Sequence, residues 1–412
     1  MRIEGLERHS VGDRTRIQAR VIYEDVDLPS REVFYEAGPP LAEALEAAPE
    51  AFVAAAFPLA VWEGERRLRI EGAVDATLAS GLGQVTRLLA AWYPRCGSLA
   101  LEPTEGFRVQ DPRPAPHTAA LYSGGVDATA MLCENRRLVP RGHAQSIRTL
   151  VYAFGFTGLD HPDGVEDPFM RARNDAHAER LEATAREVGC ELVRLDTNAM
   201  RLHPSKKAWY DAAYGAAFLA PFLASPAFVT DALIASTGEG GAVAVPHGSH
   251  PMLDTLYSTS AVRTHHAQPH YTRLDKLKMI AEWEPAFDSL QVCFGVRLED
   301  PAVTNCGRCE KCLRTMIGLL ACGALERFTA LPHDDVTPEM IQAHQPTRST
   351  SLYFLHPDLQ AALTRRGRGD LVRALQAQAR RPYDSRWKTL RRKWRRSAAK
   401  RLGLRPQGQS AR

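Results

Sequence analysis

The chain has 412 residues, 44% hydrophobic and 24% charged, a globular composition with length for two or three structural units. Met1-Arg2-Ile3-Glu4-Gly5 opens no apolar stretch, which argues against a secretory leader and for a cytoplasmic place. The net charge of +4 is uneven, because the residues from Arg380 onward hold 13 Lys and Arg against the single acid Asp384 and leave the rest net acidic.

Residues 1–110 mix strand and helix signals, an α+β pattern. Alternation over Arg16–Tyr23 predicts a strand, and apolar spacing from Leu41 through Phe57 predicts a helix. Gly81-Leu82-Gly83 has the start of a dinucleotide loop, but no third glycine follows and no strand precedes it, so it reads as a turn. The polar, proline-rich run Asp111–Pro116 reads as a domain boundary.

From 117 to 325 strand and helix signals alternate. Strands are predicted at Thr118–Tyr122, Thr149–Phe156, Glu191–Asp196 and Ala232–Ser236. A helix is predicted over Ala128–Leu138, and a second one buries Ala178, Leu181, Ala185 and Val188 and ends at Gly189. Such alternation implies an α/β domain with a parallel sheet covered on both faces, and ligands of such sheets bind beyond the carboxyl ends of the strands. Ala212–Thr230 carries no charge but holds Pro221 and Pro226, so it is expected to be a buried helix and not a membrane span.

Ser123-Gly124-Gly125-Val126-Asp127 stands at such a strand end, just before a helix. Two glycines let the backbone come close to an anion, and the free amides and dipole of a helix start favour negative charge. Ser123 adds a hydroxyl donor, while Asp127 either holds a magnesium ion or fixes the loop. No Walker pattern accompanies the loop, which argues against γ-phosphate transfer of the P-loop kind.

Leu121–Thr129 resembles the Ser-Gly-Gly-X-Asp-Ser/Thr signature of the PP-loop, or N-type, ATP pyrophosphatases. The resemblance implies a Rossmann-like sheet of the adenine nucleotide alpha hydrolase type that binds ATP with Mg2+. In that family a carboxylate or carbonyl oxygen is adenylated, pyrophosphate leaves, and here a nitrogen nucleophile is expected to displace AMP. The nucleotide is then expected on Ser123, Gly124, Gly125, Val126, Asp127 and Thr129, with its adenine near Ala153, Phe154 and Gly155. Ala128 stands where the family usually has serine, and Thr129 can supply the hydroxyl instead.

Pro246–Asp254, Thr264–His266 and Tyr271–Lys276 follow the fourth strand and are expected over the site. His247, His250 and Asp254 are acid, base or substrate-binding candidates, with scattered surface histidines as the plain alternative. Arg273 and Lys276 begin a helix, where the dipole disfavours cations, so an anionic partner would explain them; with Ser123 and Asp127 they form the expected catalytic set.

Four of the eight cysteines, Cys293, Cys306, Cys309 and Cys312, crowd into one stretch, which points to a metal and not to disulfides. Four thiolates close a tetrahedral shell suited to structural zinc; an iron–sulfur cluster is the other group they hold. The cluster makes residues 117–325 similar to 7-cyano-7-deazaguanine synthases, which turn a carboxylate into a nitrile with ATP and ammonia. Twelve residues separate Cys293 from Cys306, a longer gap than that family's, and neither end of this chain has a counterpart there. That substrate, an RNA substrate, and nucleotide binding without turnover are therefore alternatives to a general amide- or nitrile-forming ligase.

A helical extension is expected over 326–379 and a basic amphipathic tail over 380–412. Trp387, Leu390, Trp394 and Leu402 recur there among Arg and Lys, a pattern that suits an anionic membrane surface or RNA.

Overall fold

The structure is a computed structural model that describes residues 1–111, 115–155, 168–203, 205–237, 245–293, 300, 302–303, 305–344 and 348–381. The basic tail from Pro382 onward, with its four apolar positions, and Phe156 lie outside the described residues.

Ten strands form one sheet: β1 (Arg2–Val11), β2 (Arg14–Ile22), β3 (Arg31–Ala37), β4 (Arg67–Ile70), β6 (Ala100–Pro103), β8 (Thr118–Leu121), β9 (Ile147–Phe154), β10 (Glu191–Thr197), β11 (Asp231–Ala235) and β12 (Arg263–Ala267). Two short strands, β5 (Val74–Asp75) and β7 (Phe107–Arg108), pair separately. The order is β12-β11-β8-β9-β10-β3-β2-β1-β4-β6, so the predicted strands occur and a fifth, β12, joins them. β12 is part of the His-rich segment that the sequence placed over the site; Thr264 and His266 are strand residues.

β12, β11, β8, β9 and β10 are mutually parallel, whereas β10 pairs antiparallel with β3. The strands on either side of the proline-rich link thus share one sheet. Arg14 ties that seam, donating to Glu36 at 2.8 Å and to Asp196 at 3.1 Å, while Asn198 accepts from the Phe34 amide and donates to the Glu32 carbonyl.

Side chains alternate across a strand, and this divides the core. Leu121, Val151, Leu195 and Ile234 pack on one face against the helices Pro49–Glu63 and Tyr214–Leu223. Tyr122, Leu150 and Tyr152 pack on the other with Met131, Leu132 and Leu181 of the helices Val126–Leu138 and Pro168–Glu187. A third core joins Val126 and Ala130 to the helices Arg273–Ile280, Glu310–Cys322, Pro357–Arg365 and Gly369–Ala379.

Within the uncharged window Ala212–Thr230 the buried helix runs only over Tyr214–Leu223, inside the first core, and the chain leaves it for turns before β11; no helix among the described residues is long and apolar enough to cross a membrane. The helix predicted from Leu41 to Phe57 is broken. It stops after Ala44 and restarts at Pro49, because a residue before proline is pushed out of the helical region, and Ala48 is extended at φ −71°, ψ 132°.

Gly81 and Gly83 are not a turn; both lie within the helix Ala76–Trp92, capped by the Asp75 side chain. There the absence of a side chain serves packing, since a Cβ on Gly81 would stand 2.0 Å from the Leu256 carbonyl oxygen. Gly81→Ala is expected to lower stability by about 3 kcal/mol, the upper range for overpacking, despite alanine's better helix propensity. Urea unfolding checks this, and an unchanged or raised midpoint would contradict the close approach.

Candidate functional site

β8, β9 and β10 follow one another to one side of the sheet, while β11 and β12 lie on the other side of β8. The order therefore reverses between β8 and β11, and open α/β sheets bind ligands at the carboxyl ends of such a reversal. The Ser123 loop leaves β8 at that point, and Ser236 leaves β11 beside it.

The loop is held from behind. His177 Nε2 donates to the Ser123 carbonyl at 2.9 Å, and the Gln291 amide donates to the Gly124 carbonyl at 2.8 Å. Gly124 takes φ +68°, and a Cβ there would meet Leu181 at 2.8 Å and His177 at 3.0 Å, so the position needs glycine. Burial pushes the His177 pKa down to about 4 against the opposing effect of its bond to Ser123, which keeps the ring neutral near pH 7.

With its Ser123 and Gly124 carbonyls engaged, the loop also closes on itself, the Gly125 amide donating to Ser123 Oγ at 3.3 Å. Ser123 is exposed, and Gly125, the N-cap of the helix Val126–Leu138, has no side chain with which to cap the first-turn amides. An uncapped helix start at a strand end is an anion-binding geometry.

Asp127 lies in the first turn with its side chain 22% exposed. Its Oδ1 accepts from Lys276 Nζ at 2.8 Å and its Oδ2 from Arg273 Nη1 at 3.3 Å. Burial alone would raise the Asp127 pKa, but Lys276 and Arg273 outweigh it and hold the carboxyl below its usual range. Lys276 is fully buried and also donates to the Ser236 carbonyl at 2.5 Å, so one ammonium joins the ends of β8 and β11. The anionic partner that these cations required is Asp127. With Oδ1 on Lys276 and Oδ2 on Arg273, Asp127 ties the start of its helix to the helix Arg273–Ile280, which suits the loop-fixing role.

The helix Arg273–Ile280 starts with a capping box between Thr272 and Asp275, which offsets the cost of cations in its first turns. Arg273 also donates to Thr315 Oγ1 at 3.3 Å, linking this helix to Glu310–Cys322. Ala153, Phe154 and Gly155 close β9, with the Arg171 guanidinium 4.7 Å from the Phe154 ring centroid. Thr129 is buried in the helix start, and its amide bonds the Gly125 carbonyl at 2.9 Å.

The middle segment supports the fold more than it opens a site. His250 Nδ1 accepts from the Met252 amide at 3.1 Å and caps the helix Pro251–Asp254. His247 accepts from the Ser249 amide at 3.0 Å. Asp254 is fully buried and takes 2.7 Å bonds from Ser249 Oγ and from His266 Nδ1, an internal network behind β12.

The four predicted cysteines come together, all sulfurs lying within 4.8 Å of one another. Cys293 Sγ is 3.7 Å from Cys309 Sγ, and Cys306 Sγ is 3.9 Å from Cys312 Sγ. A tetrahedral zinc with bonds of about 2.3 Å would set its sulfurs about 3.8 Å apart, so the group fits a structural metal such as zinc. Amides of Cys309 and Cys312 point at Cys306 and Cys309 sulfurs, at 3.3 Å and 3.5 Å, a bonding that favours thiolates. The segment 290–293 is clamped by Asn305, whose oxygen accepts from Val292 and Cys293 and whose nitrogen donates to Leu290 and Ala330. Two residues before Cys293, Gln291 bonds the loop, so the metal group and the loop are mechanically joined.

Sequence reasoning missed His177, Gln291 and Asn305. His177 follows the helical spacing of the apolar positions that were read as core, Gln291 acts through its backbone amide, and Asn305 acts through a side chain that bonds backbone groups distant in sequence, neither of which leaves a sequence signal. A surface groove lined by Pro39, Pro40, Glu182 and Arg186 lies at the amino-terminal end of β10, away from all of these groups. Compared with family models, with curated proteins and with solved structures, the chain matches none.

Proposed function

We propose that this chain is an ATP-using ligase of the PP-loop ATP pyrophosphatase type, with a Rossmann-like central domain, acting in the cytoplasm. The observation that carries the reading is the Ser123–Asp127 loop at the β8/β11 reversal, its carbonyls tied back by His177 and Gln291 and its helix amides uncapped. On this reading the β and γ phosphates lie against Ser123, Gly124, Gly125 and Val126, and the adenine lies near Ala153–Gly155 at the end of β9. Magnesium arrives with the triphosphate and screens its charge. The cysteine group holds zinc in a closed shell, with no open position for chemistry.

A carboxylate or carbonyl oxygen of the substrate attacks the α phosphorus, the α–β bond breaks, and pyrophosphate carries the bonding pair into the loop. A nitrogen nucleophile then adds to the adenylated carbon and expels AMP. Lys276 and Arg273, oriented by Asp127, stabilise charge that develops on the departing oxygens, so catalysis is positioning and electrostatics with no covalent enzyme intermediate. The experiment is product analysis of labelled ATP with small carboxylic acids and ammonia. AMP and pyrophosphate in equal amounts are expected, and ADP as the sole product rejects the reading.

A further inference from the structure

The chain leaves β10 at the carboxyl end of the sheet and enters β11 at its amino end, so the helix Tyr214–Leu223 between them runs back over the strands and starts beyond their carboxyl ends. Gly215 in its first turn backs onto Asp254: a Cβ there would stand 2.1 Å from Asp254 Oδ1. His266 is the penultimate residue of β12, in register with Ile234 of β11, and the Ser236 amide that follows β11 donates to the Ala267 carbonyl at 2.9 Å. Asp254 and His266 therefore stand at the ligand-binding end of the sheet, across the β8/β11 reversal from the end of β9.

The His266 side chain is 1% exposed, and its Nδ1 lies 2.7 Å from Asp254 Oδ2, which also accepts from Ser249 Oγ at 2.7 Å. An ionised carboxylate only accepts, so in the neutral ring Nδ1 carries the proton and Nε2 is a bare acceptor. That Nε2 is buried and has no hydrogen-bond partner among the described residues. A buried acceptor without a donor costs free energy that a bound N–H or O–H group recovers. A carboxylate that fixes the tautomer of a histidine whose other nitrogen is bare is the arrangement of a general base.

We propose that His266 is the base that takes a proton from the nitrogen nucleophile at the adenylated carbon, with Asp254 as its positioning residue. The C–N bond forms, the nitrogen gives its proton to Nε2, and AMP leaves with the bonding pair of the C–O bond; Asp254 then faces the resulting imidazolium. The inference rests on the ATP reading above and adds to it the residue that serves its second half. The competing role is a structural tie between β12 and the helix Pro251–Asp254.

The test uses the full chain with the carboxylic acid that yields AMP in the product analysis, and compares ATP–pyrophosphate exchange without a nitrogen donor against product formation at saturating ammonia. H266N keeps a donor for Asp254 near the place of Nδ1 and has nothing at the place of Nε2. It is expected to leave exchange within about twofold and to slow product formation about 100-fold, the scale for removing a general base. D254N, which keeps the shape of the side chain but no longer fixes the tautomer, is expected to show the same split. Product formation within about twofold of the unaltered chain in H266N overturns the inference and leaves the ATP reading standing, and so does an equal fall of both rates, which marks a structural tie. If H266N does not fold, D254N carries the same comparison, and loss of fold in both assigns the pair to structure and overturns the inference. An unaltered chain that neither exchanges pyrophosphate nor forms AMP with any acid overturns both.

Discussion

Replacing Cys312 by serine is expected to reduce bound zinc from about one per chain to none, by elemental analysis of the purified protein, and to lower unfolding stability by at least about 5 kcal/mol. Structural zinc sites contribute roughly 10–16 kcal/mol of apparent binding energy in small peptides, and a larger core retains part of the fold without the metal. The loss should not stay local. Cys293 leaves the clamp that Asn305 makes on 290–293, and Gln291 in that segment supports the Gly124 carbonyl, so ATP affinity should fall with the metal. A C312S protein that is metal-free yet keeps unaltered stability would remove the structural role.

Asp127→Asn should have the second large effect, on stability and turnover together. It leaves fully buried Lys276 without its carboxylate, and breaking one partner of such a pair costs about 3 kcal/mol, the low end of the usual range because Asp127 is partly exposed. On the proposed ATP reading, turnover should drop roughly 100-fold, the scale for losing one preorganised electrostatic contact. The pH dependence has a fixed sign. The Asp127 pKa is lowered on folding, so its stabilisation is complete above the unfolded value, about 3.9, and is lost as pH falls through the lower folded value. The difference between the two proteins should thus be constant from neutrality to about pH 5 and shrink below pH 4; denaturant melts across that range measure it. A gap that widened on acidification would show that Asp127 is not held ionised by the two cations.

Much of the central region could be read from local pattern. The apolar run at 118–121, two glycines and a helix start mark the strand–turn–helix at Ser123 in nine consecutive residues, and thiols three apart mark most of a four-cysteine group. β12 escaped because Arg-Thr-His-His-Ala carries no apolar alternation; its buried face is polar and is satisfied by Asp254, a partner ten or more residues away. The Leu41–Phe57 helix failed where apolar spacing continued across Pro49 while the backbone could not.

The residues alone determined the alternating strands and helices, the place of the glycine turn after β8, and the three closely spaced thiols Cys306, Cys309 and Cys312, since each depends on neighbours within a few positions. Tertiary structure decided that β10 would pair with β3 and merge the two halves into one sheet, that Asp127 would spend both oxygens on Lys276 and Arg273, and that Gln291 would join the metal group to the loop. Those contacts span more than a hundred residues, and the free energy that selects them comes from burial and charge pairing that exist only once the chain has closed.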